Sequence, residues 1–483
     1  MALIDKLKNI GDAIRTKTGK ADSLTLEQMP VEIEAIETGI TPEGTITITE
    51  NGTYDVTQYA SAEVQAKEDL NTVLTEQEAV ISELKRTIAR KASSDAKMPS
   101  LIEGTCTELT KEDLLGVTKI RDYAFYYGGS LKKIYIPGNV KQIGKFAFSN
   151  FGIGENSLES IYIEDGVISL GEGCFSGTCP FRKNTIRLPQ NTLTALPSKL
   201  FFNNQNMLGE YIFGDQLTSV GSSAFESCYM VSKIELPDTV QNIGERAFVN
   251  CLAITSFKYP ANLTSIPNYA FQGDRELVGF VFPNNLLTIG TYAFSGCKKF
   301  AVAIPDTVTS IGNYAFSETS YEDIELPPAV TSIPSSCFSN CSAAKSITIG
   351  DNVTSIGSNA FYNCNYVTTI NFNAKQCGNS TSSNYIFYKC GTEAEGVTLY
   401  IGNKVEKIPD YIFSPTTNVD YSINIKDIVF KPNSICKTIG NNSFRSMNKL
   451  RTINIPESVT SIGTYAFSSC TGLKNVTLTK GIT

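Results

Sequence analysis

The sequence predicts a β-rich repeat solenoid of about 15 coils of 22–27 residues, with an N-terminal α-helical and coiled-coil stalk and a small β-hairpin. Two observations predict it: a short phrase recurs through the last four-fifths of the chain, and an apolar heptad precedes the array. We divide the chain into a helical segment over 1–40, a hairpin segment over 41–66, a coiled coil over 67–92 and the solenoid over 100–483.

The recurring phrase is Ile-Gly-x-x-Ala-Phe with close variants. Most of its fifteen copies lie 22 to 24 residues apart, with longer copies over 149–201, 362–413 and 414–444. A unit of this size cannot bury its own apolar residues, so neighbouring units must stack into a continuous core. The Phe of the phrase falls at Phe125, Phe148, Phe175, Phe201, Phe225, Phe248, Phe271, Phe294, Phe316, Phe338, Phe361, Phe387, Phe413, Phe444 and Phe467.

Each unit divides into one strand and a return path, most clearly over residues 453–470. An alternating apolar segment predicts a short strand with two side chains inward, and Pro456 ends it. Ile462 then points back to the core, Gly463 permits a tight bend, and Phe467 packs against the far wall. Stacked units would place parallel strands about 4.8 Å apart.

On these residues the chain resembles the BspA-type leucine-rich repeat proteins, over about residues 100–483. One long copy also resembles that family, with Asn371-Phe-Asn-Ala followed by Gly391-Thr-Glu-Ala-Glu-Gly-Val-Thr-Leu-Tyr-Ile-Gly. The resemblance implies adhesion or protein recognition rather than catalysis.

The composition excludes several classes of function. The net charge is -7 without clustered Lys and Arg, so nucleic acid is not an expected partner. The chain has no His, which removes Ser-His and Cys-His nucleophile pairs and imidazole metal ligands. We therefore expect no enzyme, cofactor or metal. Carboxylate catalysis remains formally open, but Glu235 and Glu325 would lie four coils apart, roughly 19 Å, too far for a glycosidase pair.

Nine of the thirteen Cys follow the repeat. Because free Cys behaves as a small buried apolar residue, we expect a structural ladder of thiols. A disulfide between Cys228 and Cys251 is the alternative, since neighbouring ladder positions would lie about 5 Å apart. Seven Cys lie three residues after the repeat Phe and two replace the Ala before it: Cys228, Cys251, Cys297, Cys341, Cys364, Cys390 and Cys470, and Cys174 and Cys337.

The first hundred residues have other periods. Residues 1–18 show helical apolar spacing, and Asn51-Gly52 between two alternating segments indicates a hairpin. A heptad over about 69–90 predicts a coiled coil, whose wide apolar face favours a homotrimer. The alternative is an amphipathic helix packed on the protein's own body. The candidate oligomerisation residues are Leu70, Leu74, Ile81, Leu84 and Ile88.

This N-terminal block is similar to the opening of many structural proteins of Firmicutes phages. The similarity lies in Leu3-Ile-Asp-Lys-Leu with Ile10-Gly-Asp-Ala-Ile-Arg-Thr-Lys-Thr-Gly, in Leu26-Glu-Gln-Met-Pro, and in Glu50-Asn-Gly-Thr-Tyr-Asp-Val-Thr-Gln-Tyr-Ala-Ser-Ala. It implies that residues 1–66 attach the chain to other tail or head proteins of a virion.

The outward side chains of the predicted strands form a column along one face. Inward positions barely change between copies, whereas the column varies, either for binding or by neutral drift. We expect binding chiefly at Tyr135 and Tyr162, with a secondary patch at Tyr400. A second set of Tyr precedes the Ala-Phe, and we interpret it as structural stacking on the convex edge: Tyr123, Tyr269, Tyr292, Tyr314, Tyr411 and Tyr465. The candidate receptor-binding residues are Tyr135, Tyr162, Arg187, Glu235, Lys258, Glu325, Asn371 and Tyr400.

Together the two resemblances imply a phage virion fibre that recognises a bacterial surface protein or glycan through its solenoid. The alternatives are a bacterial cell-surface adhesin and a structural head or tail decoration protein. The N-terminus lacks the apolar segment of a secretory signal, and no run of about 18 apolar residues occurs. We therefore expect synthesis in the host cytoplasm, no membrane span, and localisation on the virion.

Overall fold

The computed structural model describes residues 108–126, 132–150, 160–177, 185–414, 423–478 and 482, and the backbone of 45–46 and 54–55. Among them one 3-10 helix (Glu112–Leu114) accompanies the β-strands. The helical segment over 1–40, the coiled coil over 67–92 and its five candidate oligomerisation residues lie outside the described residues, so they stay predictions.

The described part of the solenoid is built from two series of parallel strands. The first series holds the predicted alternating segments: β3 (Glu108–Leu109), β5 (Lys133–Ile136), β7 (Ser160–Ile163), β9 (Thr185–Arg187), β11 (Gly209–Ile212), β13 (Val231–Glu235), β15 (Ser256–Lys258), β17 (Gly279–Val281), β20 (Asp323–Glu325), β22 (Ser346–Ile349), β24 (Thr369–Phe372), β25 (Val397–Ile401), β27 (Ile425–Phe430), β29 (Thr452–Asn454) and β31 (Asn475–Thr477). The second holds two-residue strands: β4 (Lys119–Ile120), β6 (Gln142–Ile143), β8 (Ser169–Leu170), β10 (Ala195–Leu196), β12 (Ser219–Val220), β14 (Asn242–Ile243), β16 (Ser265–Ile266), β18 (Thr288–Ile289), β19 (Ser310–Ile311), β21 (Ser332–Ile333), β23 (Ser355–Ile356), β26 (Lys407–Ile408), β28 (Thr438–Ile439) and β30 (Ser461–Ile462).

The pairing register confirms the predicted solenoid. The longest sheet runs in the order β20-β22-β24-β25-β27-β29-β31, all of it parallel. Within it Ile347 pairs with Ile370, and Ile370 pairs with Leu399, so equivalent core side chains face equivalent ones. The strand Ser346–Ile349 alternates between half-buried and buried residues, as a strand with one face on the core must.

The repeat Phe residues form the far wall of the core. Each contacts its counterparts in the adjacent coils, with ring centroids 4.9 Å apart at the closest pair and 6.1 Å at the widest. All are buried except the last, Phe467, which is half-buried. The predicted packing of Ala-Phe on the far wall is thus confirmed.

The residue two positions before each repeat Phe adopts a left-handed conformation, with φ from 47° to 61°. Such backbone is costly for side chains other than Gly, and neighbouring coils compensate for it. Around Phe271, the N–H groups of Tyr269, Phe271 and Gly273 donate to carbonyls of the following coil at 2.8, 2.9 and 2.8 Å. These left-handed residues are Tyr123, Phe146, Gly173, Lys199, Ser223, Arg246, Tyr269, Tyr292, Tyr314, Ser336, Asn359, Tyr385, Tyr411, Asn442 and Tyr465.

A tight bend does begin at Gly463, whose carbonyl accepts a hydrogen bond from the N–H of Ala466 at 3.2 Å. The φ of Gly463 lies outside the left-handed region, and the left-handed residue of that copy is Tyr465. A Cβ added at Gly463 would instead lie 2.6 Å from the backbone N of Asn441 in the preceding coil. Glycine is therefore required here by the close approach of two coils rather than by the backbone conformation of the turn.

The cysteine ladder is confirmed, and each of the seven Cys that lie three residues after a repeat Phe has a hydrogen-bond acceptor. Cys228 Sγ donates to the carbonyl of Phe201 at 3.2 Å, and Cys251 Sγ donates to that of Phe225 at 3.2 Å. Both are thiols here, so the alternative of a Cys228–Cys251 disulfide is not what the structure shows. The other members follow the same rule, each donating to the repeat Phe of the preceding coil: Cys297, Cys341, Cys364, Cys390 and Cys470.

Two short strands lie in the predicted hairpin segment, β1 (Thr45–Ile46) and β2 (Tyr54–Asp55). They pair antiparallel, with Ile46 opposite Tyr54. This register differs from that of a two-residue turn at Asn51-Gly52, which would place Ile46 opposite residue 57.

Candidate binding face

The structure places the predicted outward column on one face of the first strand series. Tyr135 pairs with Tyr162, and Tyr162 pairs with Arg187, so these three lie side by side. Further along, Glu325, Thr348, Asn371 and Tyr400 follow one another in register. Glu235 lies opposite Ile212 and Lys258 opposite Val281, in separate sheets of two strands each.

At the amino end of this face, two tyrosine rings and a guanidinium form a continuous stack. The rings of Tyr135 and Tyr162 are nearly parallel, with centroids 4.9 Å apart and an interplanar angle of 11°. The Cζ atom of Arg187 lies 4.9 Å from the centroid of the Tyr162 ring, a cation–π distance. Tyr162 is therefore covered on both faces.

Glu164 lies beside this stack and binds Tyr135. Its carboxylate accepts hydrogen bonds from the Tyr135 hydroxyl and, at 2.8 Å, from the backbone N of Gly138, and it pairs with Lys111 at 3.3 Å. The hydrogen bond to Glu164 raises the pKa of Tyr135 to about 12, and the same bond lowers the pKa of the Glu164 carboxyl. In this stack the Tyr135 hydroxyl therefore donates its hydrogen bond to an ionised Glu164 carboxylate.

Sequence reasoning missed Glu164 and Lys111. Glu164 lies two residues after Tyr162, just past the end of β7, and the alternation of the strand could have placed it on the same face. Lys111 gives no comparable signal, because it reaches Glu164 across an intervening coil.

A depression of about 500 Å³ opens beside the stack. Its floor and walls combine two aromatic rings with charged side chains, a composition typical of sites that orient small ligands. The lining residues include Glu108, Thr110, Lys111, Lys133, Tyr135 and Tyr162.

The secondary patch is less organised. Tyr400 is half-buried between Asn371 and Val429, and the Nδ2 atom of Asn371 lies 3.4 Å from Thr348 Oγ1. Val429 is 40% exposed and adds apolar area beside the ring.

The second tyrosine set stacks along the convex edge, as predicted, in three consecutive copies. Ring centroids lie 5.1 Å apart for Tyr269 and Tyr292, and 4.5 Å apart for Tyr292 and Tyr314. The guanidinium of Arg246 lies over Tyr269 at 5.6 Å and forms two hydrogen bonds with Glu226, at 2.6 and 3.0 Å. Of the other three predicted members, Tyr123 stacks on Phe146 and Tyr465 is 66% exposed.

Neither a metal centre nor a membrane span occurs within the described residues. They contain no group of three or more Cys, Asp or Glu placed to hold a metal ion. Nor does any helix in the described part of the chain have the length and apolar character needed to cross a membrane.

Family comparison agrees with this geometry. Residues 118–208, 153–278, 194–301, 264–393 and 380–483 match the family described as BspA type Leucine rich repeat region. The chain belongs to this family. The matched stretches together cover the described solenoid from β4 onward, so the BspA-type repeats account for nearly all of the binding face.

One solved structure shows the same fold, and others are similar over most of the chain. A leucine-rich repeat protein from Bacteroides ovatus matches at a TM-score of 0.52 and 22% identity, over 76% of this chain and 78% of that one. A leucine rich cell surface protein from Faecalibacterium prausnitzii matches at 0.33 and 22%, over 75% and 83%. The pneumococcal vaccine antigen PcpA matches at 0.32 and 16%, over 75% and 85%. None of the curated proteins compared with the chain matches it.

Proposed function

We propose that the protein is a non-enzymatic recognition fibre that binds a bacterial surface through the strand face of its BspA-type solenoid. One observation carries this: the variable outward column contains an ordered Tyr135–Tyr162–Arg187 stack beside an open depression. Binding sites gain affinity when their aromatic side chains are already held in place, because less conformational entropy is lost on binding.

The finer assignment is a phage virion fibre. It is supported by the three N-terminal phrases that resemble phage structural proteins, and by the heptad with Leu74 and Ile81 at its core positions. In this proposal residues 1–66 attach to other virion proteins, residues 67–92 form a trimer, and the solenoid projects outward.

A bacterial surface adhesin is the second candidate, and the family match favours it, because that match concerns the solenoid and is independent of the N-terminal block. Both candidates use the same face for recognition and neither requires a cofactor. They differ in oligomerisation and in the role of residues 1–92.

Surface recognition is tested by labelling the full chain with a fluorophore and measuring its binding to intact cells of Firmicutes strains by flow cytometry. We expect some strains to bind it, and expect Tyr135→Ala/Arg187→Ala to bind more weakly. The matched control is Tyr465→Ala, which removes an exposed ring from the opposite edge and should bind as the wild type does. Absence of binding to every strain would contradict the proposal.

Light scattering separates the fibre from the adhesin. A fibre should have three times the 52.6 kDa mass of one chain. Ile81→Asp places a charge in the heptad core and should reduce the mass to that of one chain. Ser82→Asp, one residue away on the outer side of the predicted coil, is the control and should leave the trimer intact. A monomeric wild type would favour the adhesin.

A further inference from the structure

We propose that the depression beside Tyr135 binds a sugar ring of a surface glycan. This inference rests on the proposed recognition function and names the ligand class of that site. It assigns the apolar face of the sugar to Tyr135 and its hydroxyl groups to the charged side chains around the depression.

Of the two stacked tyrosine rings, only Tyr135 has an open face. Tyr162 lies between Tyr135 and the guanidinium of Arg187, so neither of its faces is available. Among the described aromatic rings, Tyr135 stacks on Tyr162 alone, and its other face is directed toward the coil that contains β3. There Leu109 pairs with Ile134, so the next residue, Thr110, lies alongside Tyr135. Because the side chain of Thr110 is much smaller than the ring of Tyr135, it leaves space beside that ring. Thr110 and Tyr135 both line the depression.

The charges at the rim of the depression are mostly compensated. Lys133 pairs with Glu108 at 2.8 Å, and Lys111 pairs with Glu164 at 3.3 Å. An ionic ligand would have to compete with these pairs. Hydroxyl groups both donate and accept hydrogen bonds, and can therefore bind to lysine and carboxylate groups without separating the pairs.

The size of the depression and the order of its aromatic wall suit a small ligand. The volume of about 500 Å³ falls within the range of small-ligand sites. The Tyr135 ring is held by its stacking on Tyr162 and by the hydrogen bond to Glu164. An aromatic ring with one fixed, open face offers contact area to the C–H face of a sugar at little cost in side-chain entropy.

The test uses the full chain on an array of bacterial and host oligosaccharides, followed by calorimetric titration with each free oligosaccharide that is retained. We expect at least one oligosaccharide to bind, and expect Tyr135→Ala to lower its affinity at least about tenfold. Tyr135→Phe keeps the ring and should change affinity by less than about threefold. Tyr465→Ala removes an exposed ring outside the strand face and should leave the affinity unchanged.

Three results would overturn the proposal: no oligosaccharide is retained, Tyr135→Ala binds as the wild type does, or Tyr465→Ala weakens binding as much as Tyr135→Ala. Unchanged thermal unfolding of Tyr135→Ala excludes misfolding as the cause of a loss. Cell binding distinguishes this failure from failure of the proposed function. If cells bind the wild type and Tyr135→Ala equally, recognition stands and the sugar site does not. If a protease-sensitive cell component proves to be the ligand, recognition again stands and the sugar is wrong.

Discussion

The backbone N–H of Cys251 donates to Asp274 Oδ1 at 2.8 Å, which places a carboxyl group within the thiol ladder. Asp274 lies three residues after Phe271, the position that Cys occupies in neighbouring copies, and it is fully buried. Its Oδ2 atom has no hydrogen-bond partner among the described residues. Burial raises the pKa of Asp274 well above its ordinary value, so the folded protein holds this group as the neutral acid.

The first prediction concerns the proton on the buried carboxyl group of Asp274. The folded state retains it to a higher pH than the unfolded state, whose aspartate pKa is about 3.9. The stability contributed by protonated Asp274 is therefore complete below that pH and is lost as the pH rises toward the folded-state pKa. We expect Asp274→Asn to unfold at higher urea concentration than the wild type, with a difference that grows from pH 5 to pH 8.

Another copy of the repeat already has an asparagine at the position equivalent to Asp274. Asn204 occupies the equivalent position in its own copy and donates from Nδ2 to the carbonyl of Phe175 at 2.7 Å. The titratable groups that act electrostatically with Asp274 are the thiols of Cys251 and Cys297, and burial raises the pKa of both. They therefore stay neutral over this range of pH. A difference between wild type and Asp274→Asn that does not change with pH would contradict the prediction.

A second prediction concerns the contact between coils at the repeat glycine. A Cβ added at Gly312 would lie 2.3 Å from the backbone N of Thr291, and the obstacle is main chain rather than a flexible side chain. Gly312→Ala should therefore lower the free energy of unfolding by about 2–4 kcal/mol. Gly350→Ala is the matched control, since nothing lies within 4 Å of its added Cβ, and it should change stability by less than about 1 kcal/mol. Equal effects of the two substitutions would refute the role of close approach.

A third prediction concerns thiol reactivity. Among the described cysteines, all are buried except Cys470, which is half-buried. Burial raises the pKa of the Cys341 and Cys470 thiols, so little reactive thiolate is present at neutral pH. We expect slow alkylation of the native chain, with Cys470 reacting before Cys228 or Cys251. After denaturation without a reductant, mass spectrometry should find every one of these cysteines alkylated, and an unreacted Cys228–Cys251 pair would show the disulfide instead.

A fourth prediction concerns the convex edge. Arg246 joins two contacts, the two-point hydrogen bond to Glu226 and the stacking on Tyr269. Lysine reproduces the charge but neither the planar two-point geometry nor the stacking, so Arg246→Lys should cost about 1–2 kcal/mol in urea unfolding. Lys298→Arg is the control, because its pair with Glu318 is exposed and should contribute little. An unchanged midpoint for Arg246→Lys would show that the stack does not depend on this guanidinium.

The repeat made most of the solenoid predictable. When coils stack in register, a side chain that recurs at the same place in every copy, such as Phe294 or Ile347, contacts its counterpart in the next coil. The period of the repeat alone therefore predicts the Phe wall, the inward strand positions and the cysteine ladder. For the same reason the period of the repeat is enough to place Tyr135, Tyr162 and Arg187 side by side.

Features that belong to single copies, or to contacts between unlike positions, were decided by the tertiary structure. Lys111 reaches Glu164 across a whole coil, and the backbone of a neighbouring coil, rather than the turn that begins there, requires glycine at position 463. The buried acid at Asp274 occurs in one copy, at a repeat position where Asn204 and Thr319 also replace the Cys. The sequence by itself determined which residues share a face, because that depends on the period of one chain. Only the tertiary structure decided how far a side chain reaches and what space remains beside it, because both depend on the three-dimensional separation of atoms in different coils.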